Sequence, residues 1–286
     1  MPNYDAIVIG VGGMGSATVY HLARRGLRVL GLEQYRIPHE LGSSHGHSRM
    51  IRYTLQEHPS YVPLVKRAYE LWHGLEQTVS ETLVITTGSV RAGPHDSDYF
   101  KGAIEACDLH QIPYEVLSSS EVNNRFPGYR FPEEVTSVYQ ADGGFLLPEL
   151  CIVSHTQAAE QAGAEIHTGE KVLDWDVQGE GVQVRTDRGT YLAGRLVVTA
   201  GAWASKLVPH VEQYAIPERQ VMGWFKPDRP ELFTPENFPV FGIWTEEGRY
   251  YGFPEFDIPG FKIGLYHHLN ENVDPDNLDR SLITKT

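Results

Sequence analysis

The feature that most constrains the fold is a glycine motif between a predicted strand and a predicted helix near the N-terminus. Residues 10–15 read Gly-Val-Gly-Gly-Met-Gly and fit the pattern G-x-G-x-x-G. The apolar, β-branched run at 4–10 predicts a buried parallel strand, and the spacing of apolar residues predicts a helix over 13–25. A second apolar run at 27–33 predicts another strand. This order predicts a βαβ unit at the start of the chain.

The glycines of this motif have separate roles if the motif binds a dinucleotide. Gly10 permits a tight turn, Gly12 lets the backbone approach a pyrophosphate, and Gly15 lets the helix pack closely on the strand. Glu33, at the end of the second strand, offers a carboxylate that accepts hydrogen bonds from ribose hydroxyls and repels a 2′-phosphate, which argues against NADP. A glycine-rich turn in any α/β protein is the alternative, and the motif alone does not distinguish NAD from FAD.

The rest of the chain predicts two interleaved domains. A helix over 148–163 is followed by short strands at 165–168, 171–177, 181–186, 190–192 and 196–199. Aromatic- and proline-rich strands typical of an antiparallel sheet follow at 220–226, 240–244, 249–253 and 261–266. We therefore predict a Rossmann-type α/β domain formed by 1–82 and 145–215, and an α+β domain with an antiparallel sheet formed by 83–144 and 216–280.

Composition argues against several classes of function. The chain carries 24 Lys and Arg against 37 Asp and Glu, so binding to nucleic acid or to an anionic membrane surface is not expected. No apolar run approaches the roughly 18 residues that span a bilayer, and no signal peptide is visible, so we expect a cytoplasmic protein. The cysteines, Cys107 and Cys151, have no nearby Cys or metal-spaced His, so neither a disulfide framework nor a metal site is expected.

Segments spread over nearly the whole chain carry a more specific signal. The longest are Gly-Ser-Ser-His-Gly-His-Ser-Arg-Met-Ile-Arg at 42–52 and Tyr-Val-Pro-Leu-Val-Lys-Arg-Ala-Tyr-Glu-Leu-Trp at 61–72. Shorter segments follow in order: Arg-Phe-Pro-Gly at 125–128, Thr-Ala-Gly-Ala-Trp at 199–203, Arg-Gln-Val at 219–221, Tyr-Tyr-Gly-Phe-Pro at 250–254 and Lys-Ile-Gly at 262–264. Together they closely resemble the family of monomeric sarcosine oxidases and N-methyltryptophan oxidases.

This resemblance implies an FAD-dependent amine oxidase with a Rossmann-type FAD-binding domain and an antiparallel substrate domain. The implied reaction oxidises a secondary or N-methyl amino acid to an imine and reduces O₂ to H₂O₂. The small amine and O₂ are therefore the expected partners, and the protein is expected to be a monomer. The substrate side chain stays open, because sarcosine, N-methyltryptophan and pipecolate differ in the pocket size that they need.

The resemblance also assigns roles to individual residues. Arg52 is expected to bind the substrate carboxylate, and Arg49 and His45 are expected beside the flavin. From the residues alone, surface ion pairs are the more usual role of two such arginines, and a polar loop residue is the more usual role of His45. The implied cofactor-binding residues are Gly10, Gly12, Gly13, Met14, Gly15, Glu33, Ser44, Arg49, Gly201 and Trp203.

Lys262 has two interpretations. Alternation along its predicted strand favours a lysine that points to solvent, whereas the resemblance implies a lysine that faces the flavin and promotes its reaction with O₂. Tyr251 is implied to line the substrate pocket, at the family's spacing from Lys262. The family's pocket histidine matches either His267 or His268, and counting back from the Asp-Pro at 274–275 favours His267.

The chain departs from the family pattern in two respects. The family attaches its flavin through a cysteine beyond the point where this sequence stops, so non-covalent FAD is expected. The family also continues for on the order of a hundred further residues, and the tail at 281–286 matches none of its pattern, so we expect a C-terminally truncated member. One alternative is a non-catalytic remnant that binds nucleotide weakly or not at all. Another is an NAD-dependent dehydrogenase, which accounts only for the glycine motif and Glu33.

Overall fold

The computed structural model describes residues 3–55 and 58–280, so the tail at 281–286 lies outside the described residues. The helices are α1 (Gly13–Ala23), α2 (Val62–Val79), α3 (Asp98–His110), α4 (Ser119–Arg125), α5 (Pro148–Gln161) and α6 (Ala204–Leu207). The strands are β1 (Tyr4–Ile9), β2 (Val29–Glu33), β3 (Arg49–Ile51), β4 (Val84–Thr86), β5 (Ser89–Pro94), β6 (Glu115–Ser118), β7 (Val135–Gln140), β8 (Gly144–Leu146), β9 (Glu165–Thr168), β10 (Val172–Gln178), β11 (Gly181–Thr186), β12 (Thr190–Val198), β13 (Met222–Phe225), β14 (Val240–Thr245), β15 (Gly248–Phe253) and β16 (Phe261–Leu265). Short 3-10 turns occur at Pro59–Tyr61, Gly201–Trp203, Pro209–Val211 and Pro230–Leu232.

The βαβ unit at the start of the chain is present as predicted. β1 and β2 pair in parallel, with Ile7 opposite Leu30, and both of these side chains are fully buried. α1 begins at Gly13, within the glycine motif, and ends at Ala23. Gly10 has a φ of 88°, which glycine adopts without the strain that a Cβ would cause, so the tight turn after β1 requires glycine.

Contacts divide the chain into two units that interleave along the sequence. Unit 1 contains residues 3–46, 148–219 and 271–280 of the described part. Its six-stranded sheet has the order β10-β11-β12-β1-β2-β9. The strands from β12 to β9 pair in parallel, whereas β10 and β11 add an antiparallel extension to β12. This arrangement confirms the predicted Rossmann-type α/β domain.

One strand of unit 1 differs from the prediction. The sequence predicts two short strands at 190–192 and 196–199, with Gly194 between them. The structure has the single strand β12 over this stretch. Gly194 belongs to the strand, because Ala193 and Arg195 pair in register with Tyr4 and Ala6 of β1. The Asp5 carbonyl oxygen lies 3.2 Å from the position that a Cβ would take at Gly194. The glycine therefore permits a close approach between neighbouring strands instead of ending one.

Unit 2 contains residues 47–55, 58–147 and 220–270. Its larger sheet has the order β13-β16-β15-β14-β5-β7-β6, and its smaller sheet has the order β3-β8-β4. Strand pairs in both sheets are antiparallel, with the exception of the parallel pair β14 and β5. The core cluster against the larger sheet is rich in aromatic side chains: Phe126, Tyr129, Tyr139, Phe238 and Phe241. This confirms the predicted second domain with a mainly antiparallel sheet.

The units differ from the predicted domain boundaries mainly in two long stretches, besides short shifts at 145–147 and 216–219. The sequence places 47–82 in the first domain, whereas the described residues of this stretch belong to unit 2. They do so because β3 pairs with β8, and because the Tyr69 hydroxyl donates to the Asp142 carbonyl at 2.8 Å. The sequence also places 271–280 in the second domain, whereas this stretch belongs to unit 1. There the Arg219 amide donates to the Glu271 carbonyl at 2.9 Å.

The part of the chain that the structure describes contains neither a membrane-spanning helix nor a metal-binding cluster. No helix among these residues is long and apolar enough to cross a membrane. The same part of the chain contains no group of three or more His, Cys, Asp or Glu side chains that could hold a metal ion. Cys107 and Cys151 are both buried and are not joined in a disulfide, and burial raises the pKa of Cys107 to about 11. The Cys107 thiol therefore stays protonated at neutral pH, as expected for an inert core cysteine.

The packing of α1 against α5 predicts a pH-dependent stability. His155 of α5 is 4% exposed, and burial lowers its pKa to about 4, with a smaller contribution from His21. In the unfolded chain this side chain takes up a proton near its ordinary pKa of about 6.5. The folded protein therefore keeps its full free energy of unfolding above pH 6.5, where His155 is neutral in both states. Part of this free energy is lost as the pH falls towards 4, because only the unfolded chain takes up the proton. We expect the free energy of unfolding to fall by roughly 2 kcal/mol between pH 7 and pH 5.

Urea denaturation at several pH values checks this expectation. His155→Phe keeps the site apolar and should flatten the decline between pH 7 and pH 5. The exposed His210, changed in the same way, is the control and should leave the decline intact. An unchanged pH profile in His155→Phe would show that other groups cause the loss of stability.

Candidate functional site

A cavity of ≈ 270 Å³ lies in unit 1 at the carboxyl ends of β1, β2 and β12. The carboxyl ends of parallel strands are where open α/β sheets bind their ligands. Among the cavity-lining residues are Gly10, Gly12 and Gly13 of the motif, Glu33 after β2, and residues 199–203 after β12. The cavity therefore combines three stretches that are far apart in sequence.

The glycines of the motif bring backbone to the cavity. A Cβ at Gly12 would meet nothing within 4 Å, so the backbone there is open to the cavity. A Cβ at Gly15 would lie 1.8 Å from the Gly10 carbonyl oxygen, so α1 packs directly on the turn after β1. The Thr199 hydroxyl also donates to the Gly10 carbonyl, at 2.7 Å. α1 has no acidic residue in its first turn, so the positive end of its dipole favours an anion there.

Glu33 is held in place by the backbone around it. Its carboxylate accepts hydrogen bonds from the Val11 amide at 2.9 Å and from the Tyr35 amide at 3.1 Å, and its side chain is 6% exposed. His39 Nε2 lies 3.6 Å from the carboxylate. Each carboxylate oxygen has two lone-pair sites, so acceptor capacity remains for the hydroxyl groups of a ligand. These donors and acceptors fit the ribose and pyrophosphate of a dinucleotide such as FAD.

Eight of the ten sequence-predicted cofactor residues line this cavity: Gly10, Gly12, Gly13, Met14, Glu33, Ser44, Gly201 and Trp203. The Ser44 hydroxyl accepts a hydrogen bond from the Gly13 amide at 3.3 Å. Gly15 is not a lining residue, because its role is to let α1 approach the turn after β1. Arg49 belongs to unit 2 and does not line this cavity.

The sequence did not indicate several other lining residues, among them Tyr35, His39 and Lys206. The Tyr35 ring lies 5.0 Å from the His39 ring and 5.7 Å from the Trp203 ring, measured between centroids. These three side chains therefore form an aromatic row beside Glu33. One sequence signal could have found Tyr35, His39 and Lys206: they follow the carboxyl ends of β2 and β12, where open α/β sheets bind ligands.

In unit 2, Lys262 is buried in the larger sheet and is 2% exposed. Alternation along β16 favours a solvent-exposed lysine, but Lys262 lies directly opposite Trp224 of β13 and Phe253 of β15, whose rings pack beside it. The Lys262 ammonium lies 4.7 Å from the Phe253 ring centroid and 5.6 Å from that of Trp224. It donates to the carbonyl and to the hydroxyl of Ser48, both at 3.1 Å. The prediction that Lys262 points to solvent is therefore wrong.

Two basic side chains donate hydrogen bonds to the carbonyl oxygen of Ser48. Arg49 Nη1 donates to the Ser48 carbonyl at 3.1 Å, and this same oxygen accepts the bond from Lys262. Burial raises the pKa of Tyr251, and the positive charge of Arg49 acts in the opposite direction. Arg49 is therefore close enough to act on Tyr251, and Ser48, which sequence reasoning missed, connects Arg49 with Lys262.

Arg52 follows β3 and is half-buried. Its Nε is buried and makes no hydrogen bond within the described part of the chain. Burial raises the pKa of Tyr69, and the positive charge of Arg52 partly opposes that rise. Among the described residues no carboxylate forms an ion pair with Arg52, which argues against the alternative of a surface ion pair. The guanidinium is thus able to bind a carboxylate from outside the chain.

The remaining predicted site residues have different surroundings. The Tyr251 ring packs 4.7 Å from that of Tyr266 and 6.5 Å from that of Phe253, measured between centroids. His267 follows β16, is exposed, and has a positive φ of 53°. His45 is half-buried in unit 1, next to the cavity-lining Ser44. The roles that the resemblance implies for Tyr251, His267 and His45 stay predictions.

Comparisons with known proteins give the family. A family model described as FAD dependent oxidoreductase matches residues 5–284. A monomeric sarcosine oxidase of Streptomyces avermitilis is 39% identical, with 98% of this chain and 74% of that protein covered. An N-methyl-L-tryptophan oxidase of Salmonella heidelberg is 35% identical, with 92% and 70% covered. Among solved structures, NikD, described as an unusual amino acid oxidase essential for nikkomycin biosynthesis, has a TM-score of 0.79 and 27% identity, with 96% and 72% covered.

The family match spans nearly the whole chain, and both named relatives exceed 30% identity over more than two thirds of their own length. The fold agrees with these matches, because a Rossmann-type unit is combined with a mainly antiparallel second unit. The chain belongs to the FAD-dependent oxidoreductase family and is an oxidoreductase of the sarcosine oxidase and N-methyltryptophan oxidase type.

Proposed function

We propose that this chain oxidises a secondary or N-methyl amino acid to an imine and that O₂ is reduced to H₂O₂. The substrate loses one hydrogen as a hydride equivalent and one as a proton, and O₂ gains two electrons and two protons. The protein is expected to act as a monomer, in line with the name of its sarcosine oxidase relatives. Bound FAD supplies the two-electron chemistry, which amino-acid side chains do not provide.

One observation carries this proposal: a buried lysine and an arginine share the carbonyl of Ser48 in unit 2. A fixed positive charge in a water-poor site stabilises negative charge that develops during a reaction. Reduction of O₂ develops such charge, so Lys262 suits an oxidase better than a dehydrogenase. Arg49 adds a second positive charge at the same carbonyl oxygen.

The cavity in unit 1 is the proposed FAD site. Its open backbone at Gly12 and the N-terminus of α1 suit the pyrophosphate, and Glu33 suits the ribose hydroxyls. Met14, Ser44, Gly201 and Trp203 complete the proposed contacts. Non-covalent binding is proposed, because Cys107 and Cys151 are both buried in the protein.

In unit 2, Arg52 is the proposed partner of the substrate carboxylate. Tyr251 and His267 are proposed to shape the substrate pocket, and His45 of unit 1 is proposed to act near the flavin. The carboxylate fixes one end of the substrate, so the amine is held in a single orientation for oxidation.

A visible spectrum and an activity screen test the proposed function. The purified chain should show flavin absorption bands, and acid precipitation should release the flavin to the supernatant if binding is non-covalent. The chain should then form H₂O₂ with sarcosine, N-methyltryptophan or a related N-methyl amino acid. A protein that binds FAD but forms no H₂O₂ with any of these amines would contradict the proposed reaction. A colourless protein that stays free of flavin when FAD is added would favour the non-catalytic alternative.

Replacing Arg52 by Met should reduce kcat/KM for N-methyl amino acids roughly 10²-fold, mainly through KM, because a charge-assisted bond to the carboxylate is lost. The same enzyme should oxidise an N-methyl amine without a carboxylate as well as the unmodified protein does. Arg67→Met, on the exposed surface of α2, is the matched control. Equal losses for both kinds of substrate would contradict a role of Arg52 in carboxylate binding.

A further inference from the structure

The stretch 271–280 returns to unit 1 after unit 2 is complete. It first runs along residues 217–219: the Arg219 amide donates to the Glu271 carbonyl, and the Val273 amide donates to the Pro217 carbonyl, both at 2.9 Å. It then continues as residues 274–280. This last part, which we call the strap, contacts two different stretches that line the cavity.

The first contact is with the residues that follow β12. Trp203 Nε1 donates to an Asp276 carboxylate oxygen at 2.6 Å. The Lys206 ammonium lies 2.6 Å from an Asp274 carboxylate oxygen and also donates to Asp276. Trp203 and Lys206 both line the cavity. Two strap carboxylates therefore fix the positions of two lining side chains.

The second contact is with the loop that follows β2. The Arg280 guanidinium donates to the Leu41 carbonyl at 2.6 Å and to the Glu40 carbonyl at 3.2 Å. These carbonyls lie between His39 and Gly42, which both line the cavity. The strap therefore connects the loop after β2 to the residues after β12.

Glu33 indicates which half of the cofactor this part of the cavity holds. In folds of this type an acidic residue at the end of the second strand binds the ribose of the adenosine half. Tyr35, His39 and Trp203 form the aromatic row beside Glu33. The strap is bound to one end of this row through Trp203 and to the loop at its other end through Arg280.

An ordinary explanation is that these are surface ion pairs, which contribute little to stability. The bond from Trp203 differs, because its side chain belongs to a residue only 8% exposed and its partner is a charged acceptor. The hydrogen bonds from Lys206 and Trp203 also lower the pKa of Asp276, so Asp276 stays ionised at neutral pH.

We propose that the strap is part of the FAD site and that Asp276 is a positioning residue, which holds Trp203 and Lys206 at the cavity and thereby slows release of the adenosine half of FAD. Asp276 acts through these two side chains and not by touching the cofactor. This proposal rests on FAD binding by unit 1 and not on the proposed amine substrate.

The test is the rate at which FAD leaves the full chain, followed by the rise in flavin fluorescence after dilution. Asp276→Ala should release FAD roughly tenfold faster, because the charge-assisted bond to Trp203 and the bond to Lys206 are both lost. Asp276→Asn keeps an acceptor for the indole and should increase the rate less. If Asp276 acts through Trp203, the two substitutions are not independent. Trp203→Phe should then change the FAD release rate less in the Asp276→Ala variant than in the unmodified chain.

A competition experiment separates positioning from general loosening. AMP carries the adenosine half of FAD, and FMN carries the flavin half. Asp276→Ala should lower the affinity for AMP and the affinity for FAD by a similar factor, and it should leave the affinity for FMN unchanged. Asp174→Ala is the matched control. Asp174 forms an exposed ion pair with Arg185 in unit 1, and neither residue lines the cavity. It should release FAD at the unmodified rate.

Three results would overturn the proposal: unchanged FAD release from Asp276→Ala, equal losses of AMP and FMN affinity, or no FAD binding by the unmodified chain. None of these measurements involves an amine. A chain that binds FAD tightly through the strap but oxidises no N-methyl amino acid would overturn the proposed reaction and leave this inference standing.

Discussion

Gly15→Ala is expected to lower the free energy of unfolding by about 3 kcal/mol and to abolish tight FAD binding. The new Cβ would lie 1.8 Å from the Gly10 carbonyl oxygen and 2.7 Å from the Thr199 hydroxyl. Both are fixed, because Thr199 donates to the Gly10 carbonyl. α1 must therefore move away from β1 and β12, which opens the packed turn below the cavity. Chemical denaturation and titration with FAD measure the two effects.

Gly12→Ala is the matched control, since the same methyl group is added three residues earlier. Its Cβ meets nothing within 4 Å, and the φ of −79° at this position suits alanine. The free energy of unfolding should therefore stay within about 0.5 kcal/mol, while the methyl group blocks the approach of the pyrophosphate and weakens FAD binding. Equal denaturation midpoints for the Gly15 and Gly12 variants would contradict the packing argument.

Lys262→Met should slow the reaction of the reduced enzyme with O₂ roughly 10²- to 10³-fold, because it removes a fixed positive charge from a buried site. Oxidation of the amine should change less than about threefold, since the substrate carboxylate is assigned to Arg52. Methionine is of similar length, and the site is lined by Phe253 and Trp224, so the variant should fold. Stopped-flow traces of the two half-reactions, recorded separately, measure these rates.

Lys226→Met serves as the control, because Lys226 is an exposed lysine just after β13 in the same unit. It should leave both half-reactions unchanged. A Lys262 variant in which both half-reactions slow equally would place the lysine in substrate oxidation or in general structure. A variant with unchanged O₂ reactivity would remove the main argument for an oxidase.

The sequence predicts the start of unit 1 well, because every signal there is local. Residues 4–33 contain a strand, a helix and a second strand, with glycines at the turn between the first two. Local pattern also explains the error at Gly194, since an isolated glycine in a strand has the same local appearance as a strand end. The pairing with β1 on both sides of Gly194 shows that the strand continues through it.

The unit boundaries could not be predicted in this way. Residues 47–82 follow directly after the glycine-rich loop, yet β3 pairs with β8, almost a hundred residues later. Lys262 presents a related difficulty, because a period of two assumes that one face of a strand meets solvent. The structure covers that face of β16 with Phe253 and Trp224, which lie on neighbouring strands.

The site residues likewise differ in whether a local sequence pattern could predict them. The glycine motif and Glu33 could be predicted because their spacing encodes a mechanism that is common to many dinucleotide-binding proteins. Tyr35, His39 and Lys206 have no such spacing, and they join the site only because β2 and β12 end at the same edge of the sheet. Ser48 was missed for a different reason, because its carbonyl carries the interaction and any residue type provides a carbonyl.

The interleaving of the two units has a consequence for synthesis on the ribosome. β1 leaves the ribosome first, but its parallel neighbour β12 is made only after the first part of unit 2, and the bond from Thr199 to Gly10 spans 189 positions. Such high contact order delays folding, because loop closure must precede the pairing that stabilises it. A nascent chain shorter than about 200 residues therefore contains the complete glycine motif without a cavity around it. The cofactor can join only late in translation or after it, and until then the apolar edge of β1 needs protection from incorrect pairing, such as that given by chaperones.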